Sequence, residues 1–406
     1  MATTFFRLLI LTFCLGSSVS FVLPNRYQNV SSASLYIDRL CGYDLTKLWL
    51  DVVIVIDNSK GMTDEGMTSV SADIASIFVG NLQLGISSTE PRTTRVALVT
   101  YSGSANVIAD LNQFQSVDEL TKFVFSTLTQ VSTDERSYLQ TGLVAAEKLL
   151  EEQSFGTQRD HYRKLVIVYA SVYRGTGEQN PVPTANRLKE SGISIATVAY
   201  GQDDDNRYLE GLSDIASSGF NFTNRENTVG ELQDCMVQVN CYCQNNWFQM
   251  RENYTNSNSF RYGICVNAIA FEAIWTAAKL SCRNHKKNAY LVNEYTKLKH
   301  DFVLEVVKNT NGFEQPYIYF IGLSYSAGSW NWEQPDGQPT VKLQNFDNWN
   351  PGFPEPSSTK PVAFAEQVSS SDESTFWMNT SRNVAEFYVC EMATCDSTNY
   401  CEQDNV

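Results

Sequence analysis

The sequence predicts an α/β domain with a doubly wound, mostly parallel sheet, followed by a separate α+β domain. Apolar strands alternate with amphipathic helices over residues 48–237, an alternation typical of a doubly wound sheet. After Cys241 the chain becomes rich in aromatic residues, Asn and Ser. The 406 residues are enough for two domains, and a hydrophobic fraction of 43% lets each of them fill a core.

The first predicted domain starts from a strand at residues 50–57, which is apolar on both faces, as a central parallel strand must be. Further apolar runs predict strands at residues 95–102, 107–111, 164–171 and 193–201. The run at 107–111 can form a hairpin with the strand before it. Helical spacing of apolar residues, such as Val70, Ile74 and Ile77, predicts the helices. They are placed around residues 70–78 and at 117–128, 139–152, 183–192, 206–217 and 228–239.

The second predicted domain carries helices at residues 270–282 and 293–308, followed by short strands and long polar loops. Helices first and strands later favour an α+β domain. Together these patterns divide the chain into five segments. They are a signal peptide at 1–20, an N-terminal segment at 21–47, the α/β domain at 48–238, the α+β domain at 239–395 and an acidic tail at 396–406.

The first twenty residues have the features of a secretory signal peptide. Arg7 supplies the positive charge, residues 8–15 form the apolar core, and residues 18–20, Ser-Val-Ser, are the small residues that a signal peptidase needs. The apolar core is too short to span a bilayer of roughly 30 Å, and no later run is long enough. We therefore expect a secreted protein without a membrane span.

The charge of the chain disfavours two classes of partner. The formal net charge is −15 at pH 7. An acidic surface repels nucleic acid and anionic lipid, so neither is expected to bind.

Cysteines and sequons fit a secretory compartment. One of the ten cysteines, Cys14, lies in the signal peptide; nine remain, and most should be paired. Because nine is odd, at least one cysteine is free or pairs between chains, which would give a disulfide-linked oligomer. Four sequons are candidate N-glycan acceptors. They begin at Asn29, Asn221, Asn253 and Asn379.

A family resemblance of the first domain rests on three stretches. Asp57-x-Ser59 at the end of the first strand, the strand at 95–102 and residues 137–150, SYLQTGLVAAEKLL, together resemble a von Willebrand factor type A domain. The resemblance implies a metal-ion-dependent adhesion site, with Asp-x-Ser-x-Ser in the first loop, a Thr in the second and an Asp in the third. Asp57 and Ser59 match that pattern, and Ser137 takes the threonine position.

The implied set of metal ligands is incomplete. Gly61 replaces the second serine, and residues 170–172 read Ala-Ser-Val where the family has Asp-Gly. Mg²⁺ prefers octahedral oxygen ligands and gives up water reluctantly, so one carboxylate with two hydroxyls holds it poorly.

Two interpretations of the first loop stay open. In one, Asp57 accepts hydrogen bonds from its own loop and Ser59 caps the next helix. In the other, a metal is bound with the help of acidic residues nearby in sequence. These are Asp64, Asp134 and Glu135.

The second domain resembles a C-type lectin-like domain over residues 241–395. The resemblance rests on cysteine and tryptophan positions, on residues 319–323, YFIGL, which are similar to a Trp-Ile-Gly-Leu strand, and on residues 387–391, FYVCE. It implies the pairs Cys243–Cys265 and Cys282–Cys390. A signal peptide followed by these two domains is similar to large secreted lectin-like families of nematodes, which are associated with defence or extracellular recognition.

Sugar-binding members of the lectin family use Ca²⁺, held by a Glu-Pro-Asn or Gln-Pro-Asp loop and a Trp-Asn-Asp strand. Here residues 355–357 read Glu-Pro-Ser and residues 377–379 read Trp-Met-Asn. Ser357 lacks the amide oxygen and Met378 cannot bind a hard cation. A glycan on Asn379 would cover the usual sugar face. We therefore expect a degenerate site and neither Ca²⁺ nor Mg²⁺ as a cofactor. The residues of this degenerate site are Glu355, Ser357 and Asn379.

The remaining cysteines suggest further pairs. Because the ends of an A-type domain lie close together, Cys41 is expected to pair with Cys235. A Cys395–Cys401 bridge would hold the acidic tail. Cys241 is then left over, and it could instead exchange with Cys243 or Cys235, or link two chains.

No enzymatic motif accompanies these domains. The three histidines have no metal-binding partner at the usual spacing; His161 is placed in a polar turn, His285 just past a helix and His300 on a helix surface. No nucleophile elbow or phosphate loop occurs in the sequence. The expected function is that of a secreted, non-enzymatic recognition protein that binds an extracellular glycan or protein. The alternatives are a matrix adhesion protein assembled through disulfides and a Ca²⁺-dependent lectin.

Overall fold

The structure is a computed structural model, and it describes residues 38–174, 177–201, 209, 211–225, 227–344 and 346–402. The predicted signal peptide and the sequon at Asn29 lie outside these residues. The strands of the first domain are β1 (Leu50–Asp57), β2 (Arg95–Tyr101), β3 (Ala105–Ala109), β4 (Arg163–Ala170), β5 (Ser194–Ala199) and β6 (Asn221–Thr223). Its helices are α1 (Thr63–Ile77), α2 (Val117–Thr127), α3 (Leu139–Gln153), α4 (Val182–Glu190), α5 (Leu212–Ile215) and α6 (Thr228–Asn240).

The strands of the first domain form one sheet in the order β3-β2-β1-β4-β5-β6. All neighbours pair in parallel except β2 and β3, which form an antiparallel hairpin. β1 is buried along its whole length. Its Val53 and Val55 share a core with Leu143 and Leu150 of α3, and α1 packs with α2 and α6. The prediction of a doubly wound α/β domain with this hairpin is confirmed.

The second domain is built on an antiparallel-rich sheet that carries two helices. Its strands are β7 (Phe248–Arg251), β8 (Arg261–Ile274), β9 (Tyr290–Leu291), β10 (Ile318–Ser326), β11 (Ser329–Trp332), β12 (Val341–Lys342), β13 (Val362–Glu366), β14 (Phe376–Thr380) and β15 (Ala385–Ala393). The main order is β12-β11-β10-β15-β8-β7; β13 pairs with β10 and β14, and β9 with β15. Its helices are α7 (Trp275–His285) and α8 (Lys297–Lys308). The predicted α+β architecture is confirmed.

Both helices of the second domain begin later than predicted. Residues 270–274 continue β8, because Ile274 still pairs with Ala385 of β15, and α7 begins only at Trp275. α8 begins at Lys297, where the Thr296 side chain accepts a hydrogen bond from the Lys299 N–H at 3.1 Å and so caps the helix. Among the described helices, none is both long and apolar enough to cross a membrane.

The disulfides correct one expected pair. Cys243–Cys265, Cys282–Cys390 and Cys395–Cys401 are present as expected. The expectation of a Cys41–Cys235 bridge is wrong, because Cys41 pairs with Cys241. α6 turns Cys235 into the interior, where its thiol is free and 2% exposed. Cys241 directly follows α6, and its Cα lies 5.8 Å from that of Cys41.

The two ends of the described chain pack together where the domains meet. The Arg39 guanidinium lies 2.7 Å from the Asp396 carboxylate, which also accepts a hydrogen bond from the Gly42 N–H at 3.1 Å. Asp396 is fully buried. The described part of the predicted N-terminal segment, residues 38–47, thus lies in this junction, and the described part of the predicted acidic tail, residues 396–402, packs against it.

Trp49 is the centre of the junction. Its ring is fully buried, and ring centroids of Tyr162, Tyr242 and Tyr400 lie 5.2, 5.6 and 5.0 Å away. The indole N–H donates to the Asp396 carbonyl at 3.0 Å. His161, expected in a polar turn, packs against this cluster. The cluster therefore joins the start of β1 to the last described residues of the second domain.

Candidate functional site

The first candidate site lies at the carboxyl end of β1, where Asp57 is fully buried. Its carboxylate accepts hydrogen bonds from the Ser59 N–H at 2.9 Å and from the Ser137 hydroxyl at 3.0 Å. Ser171, directly after β4, donates both its N–H at 3.2 Å and its hydroxyl at 2.7 Å. The structure thus brings together the predicted residues Asp57, Ser59 and Ser137.

Ser171 is the member of this cluster that was not predicted as a site residue. The signal that could have found it is its position, since parallel strands end at the same edge of a sheet and Ser171 follows the central strand β4. In the metal-free interpretation, Ser59 was expected to cap the next helix. It precedes a short helical turn at Lys60–Met62, but its side chain makes no capping hydrogen bond.

The acidic residues that could have completed a metal site are engaged elsewhere. Asp64 accepts a hydrogen bond from the Val131 N–H at 2.9 Å. Glu135 pairs with Lys60 at 3.2 Å. Asp134 pairs with Arg136 at 2.7 Å, and hydrogen bonds from Arg136 lower the pKa of Asp134 to about 2.

The oxygen donors at Asp57 are a poor fit to the divalent metal that the resemblance implies. One carboxylate and three serines surround the position, and two of the hydroxyls already donate to that carboxylate. Mg²⁺ would have to displace these donors while gaining no second carboxylate. Within the described residues, no group of three or more His, Cys, Asp or Glu side chains is arranged to hold a metal ion.

The second candidate site is the loop that precedes β13, together with β14. The buried Asn379 of β14 accepts a hydrogen bond from the Glu355 N–H at 2.8 Å, and its amide donates to the carbonyls of Glu355 at 3.0 Å and Lys360 at 2.7 Å. The Glu355 carboxylate pairs with Lys360. Ser357 lies half-buried in the turn of the same loop. The predicted residues are thus close together.

The atoms of this loop that would bind Ca²⁺ already have partners. The Asn379 carbonyl oxygen accepts a backbone hydrogen bond and the Glu355 carboxylate has a cationic neighbour. Ca²⁺ takes 6–8 oxygen ligands, preferably with several carboxylates. This donor set does not fit that requirement.

The structure separates the described sequons by exposure. Asn221 and Asn253 are exposed, whereas Asn379 is 2% exposed. Both amide hydrogens of Asn379 are donated to carbonyls, and a glycan needs that nitrogen in solvent. The expectation of a glycan on Asn379 therefore does not fit this fold.

His300 lies in the core of the second domain rather than on a helix surface. Its Nδ1 is 2.7 Å from Glu294 Oε2, which also accepts a hydrogen bond from the Trp377 indole at 2.6 Å. Burial opposes the charge on His300, but the adjacent Glu294 carboxylate outweighs it, and the pKa of His300 is raised. The pair fixes α8 against β14.

Family comparisons agree with this division of the chain. Residues 51–235 match the family model of the von Willebrand factor type A domain, and residues 272–392 match that of the C-type lectin domain. C-type lectin domain-containing protein 160 of Caenorhabditis elegans is 29% identical over 376 residues. The match covers 89% of this chain and 56% of that relative, so the chain spans little more than half of the relative's length.

Solved structures with a similar fold are more distant. Proximal thread matrix protein 1 from the mussel byssus is 17% identical, with a TM-score of 0.38 and coverage of 48% of each chain. The von Willebrand factor domain of the type V pili tip protein Mfa5 from Porphyromonas gingivalis is 14% identical, with a TM-score of 0.36. That match covers 47% of this chain and 95% of the other.

The matched families assign each half of the chain to a type of binding domain. Both families are generally non-enzymatic. The order of the two matches along the chain agrees with the two domains of the structure. The chain therefore contains a von Willebrand factor type A domain followed by a C-type lectin domain.

Proposed function

We propose that this chain is a secreted, non-enzymatic recognition protein that binds an extracellular glycan or protein without a divalent metal. One observation carries the proposal. At both positions where the families bind metal, the oxygen atoms that would bind it already have hydrogen-bond or ion-pair partners within the chain. Serine donors surround Asp57, and backbone groups and a lysine surround Asn379 and Glu355.

Metal independence follows from the energetics of these contacts. A buried carboxylate that loses two hydroxyl donors must regain more from the metal than it gives up, and hydration competes for the same ion. In the lectin domain, Asn379 would have to release the loop that it holds. Recognition would then use the side chains of these surfaces directly, as many folds do.

Secretion and a role in defence are part of the proposal. The features of residues 1–20 support export, and four disulfides support an oxidising compartment. The similarity to secreted nematode lectin-like families, given above from the sequence, supports a role in extracellular recognition during defence, and the relative in Caenorhabditis elegans supports the presence of a C-type lectin domain.

A glycan array with the purified full chain tests the proposal. The array is run in Ca²⁺ plus Mg²⁺ and again in EDTA. Binding of the same glycans in both conditions is the expected result. Loss of all binding in EDTA would instead establish a metal-dependent lectin. If no glycan binds in either buffer, protein partners become the ligand class to test.

The structure weighs against assembly through an odd cysteine, as a matrix protein would need. Cys235 is the free thiol among the described cysteines, and burial raises its pKa well above the usual range. A buried protonated thiol is unreactive. Non-reducing gel electrophoresis should therefore show a monomer; a disulfide-linked multimer would favour the matrix alternative.

A further inference from the structure

A cleft with cationic walls lies between the two domains, away from both candidate sites. We call it the basic cleft and define it by Arg163 at the start of β4, Lys189 near the end of α4, Arg251 of β7 and Arg261 of β8. Its volume is about 500 Å³. That size lies within the range of sites that bind small ligands.

The charge of the basic cleft is opposite to that of the molecule. The chain carries a net charge of −15, yet no Asp or Glu lines this cleft among the described residues. Within the described residues, none of the four cations that define the cleft forms an ion pair with a carboxylate. Lys189 donates to the Asp214 carbonyl at 3.2 Å, Arg261 donates to the Gln238 carbonyl at 2.8 Å, and Arg163 stacks on the ring of Tyr242.

The cations are held close to one another at an electrostatic cost. Burial, together with the charges of Arg251 and Arg163, lowers the pKa of Arg261 to about 10. Burial also lowers the pKa of Arg163. Partly desolvated like charges destabilise a fold unless an opposite charge joins them. An anionic ligand would supply that charge.

Aromatic rings complete the walls of the cleft. Tyr242, Trp247 and Phe248 line it beside the cations, and Phe248 is 41% exposed. Arginine binds carboxylates and sulfates through paired hydrogen bonds, and aromatic rings offer flat apolar faces with polar edges. This combination matches a sugar ring that bears acidic groups.

We propose that the basic cleft binds a short anionic oligosaccharide, with sulfate or carboxylate groups on the arginines and sugar faces on the rings of Trp247 and Phe248. A short ligand is favoured because the overall charge of the molecule repels extended polyanions. The inference goes beyond the proposed function, since the site uses neither the loops around Asp57 nor the loop held by Asn379.

Calorimetric titration of the full chain in EDTA tests this site. The probes are a sulfated heparin tetrasaccharide and the same tetrasaccharide after desulfation. We expect the sulfated probe to bind, the desulfated one to bind at least ~10-fold more weakly, and added NaCl to weaken binding. Arg251→Gln and Lys189→Gln should each weaken binding of the sulfated probe by ~10-fold or more.

Matched controls separate the cleft from general charge effects. Arg382→Gln and Lys122→Gln remove exposed cations outside the cleft and should leave affinity unchanged. Circular dichroism verifies that every variant is folded, and Arg251→Lys should retain part of the affinity. Equal affinity for the two tetrasaccharides, or equal losses in control and cleft variants, would overturn the proposal. So would a short oligonucleotide that binds as tightly as the sulfated probe.

Failure of this proposal and failure of the proposed function give different results when the array is also run with Arg251→Gln. Signals that persist in EDTA but are lost in that variant belong to the cleft, whereas signals that are lost in EDTA but kept in the variant would refute the proposed function and leave the cleft unaffected. If neither tetrasaccharide binds in the titration, the proposal for the cleft is refuted, and the proposal of metal-free recognition at the other surfaces is unaffected.

Discussion

The Asp57 carboxylate accepts four hydrogen bonds from three serines. Two of these serines, Ser59 and Ser137, stand at positions where the A-type family binds metal, and the third stands near the missing aspartate. The serines therefore satisfy a buried charge that a metal would otherwise stabilise. Gly61 lies beside them, and a Cβ there would lie 3.1 Å from the Ser171 hydroxyl, so a side chain at residue 61 requires Ser171 to shift by a few tenths of an ångström.

That geometry predicts that a metal site can be restored. The double variant Gly61→Ser with Ser171→Asp adds a hydroxyl and a carboxylate to the same space. In EDTA it should be less stable than the wild type, because two carboxylates repel. At Mg²⁺ 100-fold above its Kd the free energy of unfolding should rise by about 2.7 kcal/mol. Urea unfolding with and without Mg²⁺ measures this gain.

The controls for the restored site are the wild type and Gly61→Ser alone. Neither should be stabilised by Mg²⁺. Equal stabilisation of the wild type would mean that the serine-lined site already binds the metal.

Asn379 supports a second prediction at the residue scale. Asn379→Ala leaves the N–H and carbonyl of Glu355 and the carbonyl of Lys360 without their partner. The free energy of unfolding should fall by about 2–4 kcal/mol. Asn383→Ala, at an exposed position a few residues away, should change it by less than about 0.5 kcal/mol. Urea unfolding compares the two, and equal effects would contradict the role of Asn379.

At the scale of elements, α8 is held to β14 through His300 and Glu294. The pKa of His300 is raised in the folded state, so its stabilising contribution is complete below about pH 6.5 and is lost as pH rises through the raised pKa. Unfolding free energy should therefore decrease above pH 6.5, by at most about 1.4 kcal/mol per pH unit for one proton. Urea unfolding from pH 5.5 to 9 measures the slope.

His300→Gln is the control for this pH dependence and should flatten it. Asp73, whose pKa burial raises to about 6, titrates at lower pH and is the same in both proteins. If the variant keeps the slope of the wild type, another group is responsible.

Long apolar runs made the strands of the A-type domain predictable. β1 and β4 are buried on both faces, and their uninterrupted apolar runs at residues 52–56 and 165–170 are typical of such strands. Residues 270–274 were mispredicted because Ala270, Glu272 and Ala273 favour a helix in isolation, whereas pairing with β15 outweighs that preference. β6, with three residues, is too short to show a pattern.

The residues of the candidate sites could be predicted only where a local sequence motif marks them. Asp57 and Asn379 could be placed from local motifs, but their hydrogen-bond partners come from distant segments, such as Ser171 and Lys360. Cys241 was missed as the partner of Cys41 because pairing depends on where α6 ends in space. The basic cleft joins residues from both domains, and no local pattern marks it.

At the scale of the whole molecule, the two disulfides at the junction are expected to differ in how much they stabilise the fold. Cys41–Cys241 spans 200 residues and Cys395–Cys401 spans 6. In the chain-entropy model, removal of the long-range bridge costs about 5 kcal/mol and removal of the short one about 2 kcal/mol. Serine pairs at each bridge, compared by urea unfolding, measure the difference. A larger loss at the short bridge would show that local packing around Asp396 dominates instead.

The Cys41–Cys241 bridge also determines how the molecule would carry a mechanical load. A pull applied between residue 38 and residue 402 enters at Cys41 and passes through the sulfur–sulfur bond to Cys241, and in the lectin domain it passes through the bridges Cys243–Cys265, Cys282–Cys390 and Cys395–Cys401. The 200-residue span between Cys41 and Cys241 is a side loop in that path and bears no tension. The A-type domain would therefore keep its fold under load, and in the lectin domain only the residues outside the bridged spans would be stretched.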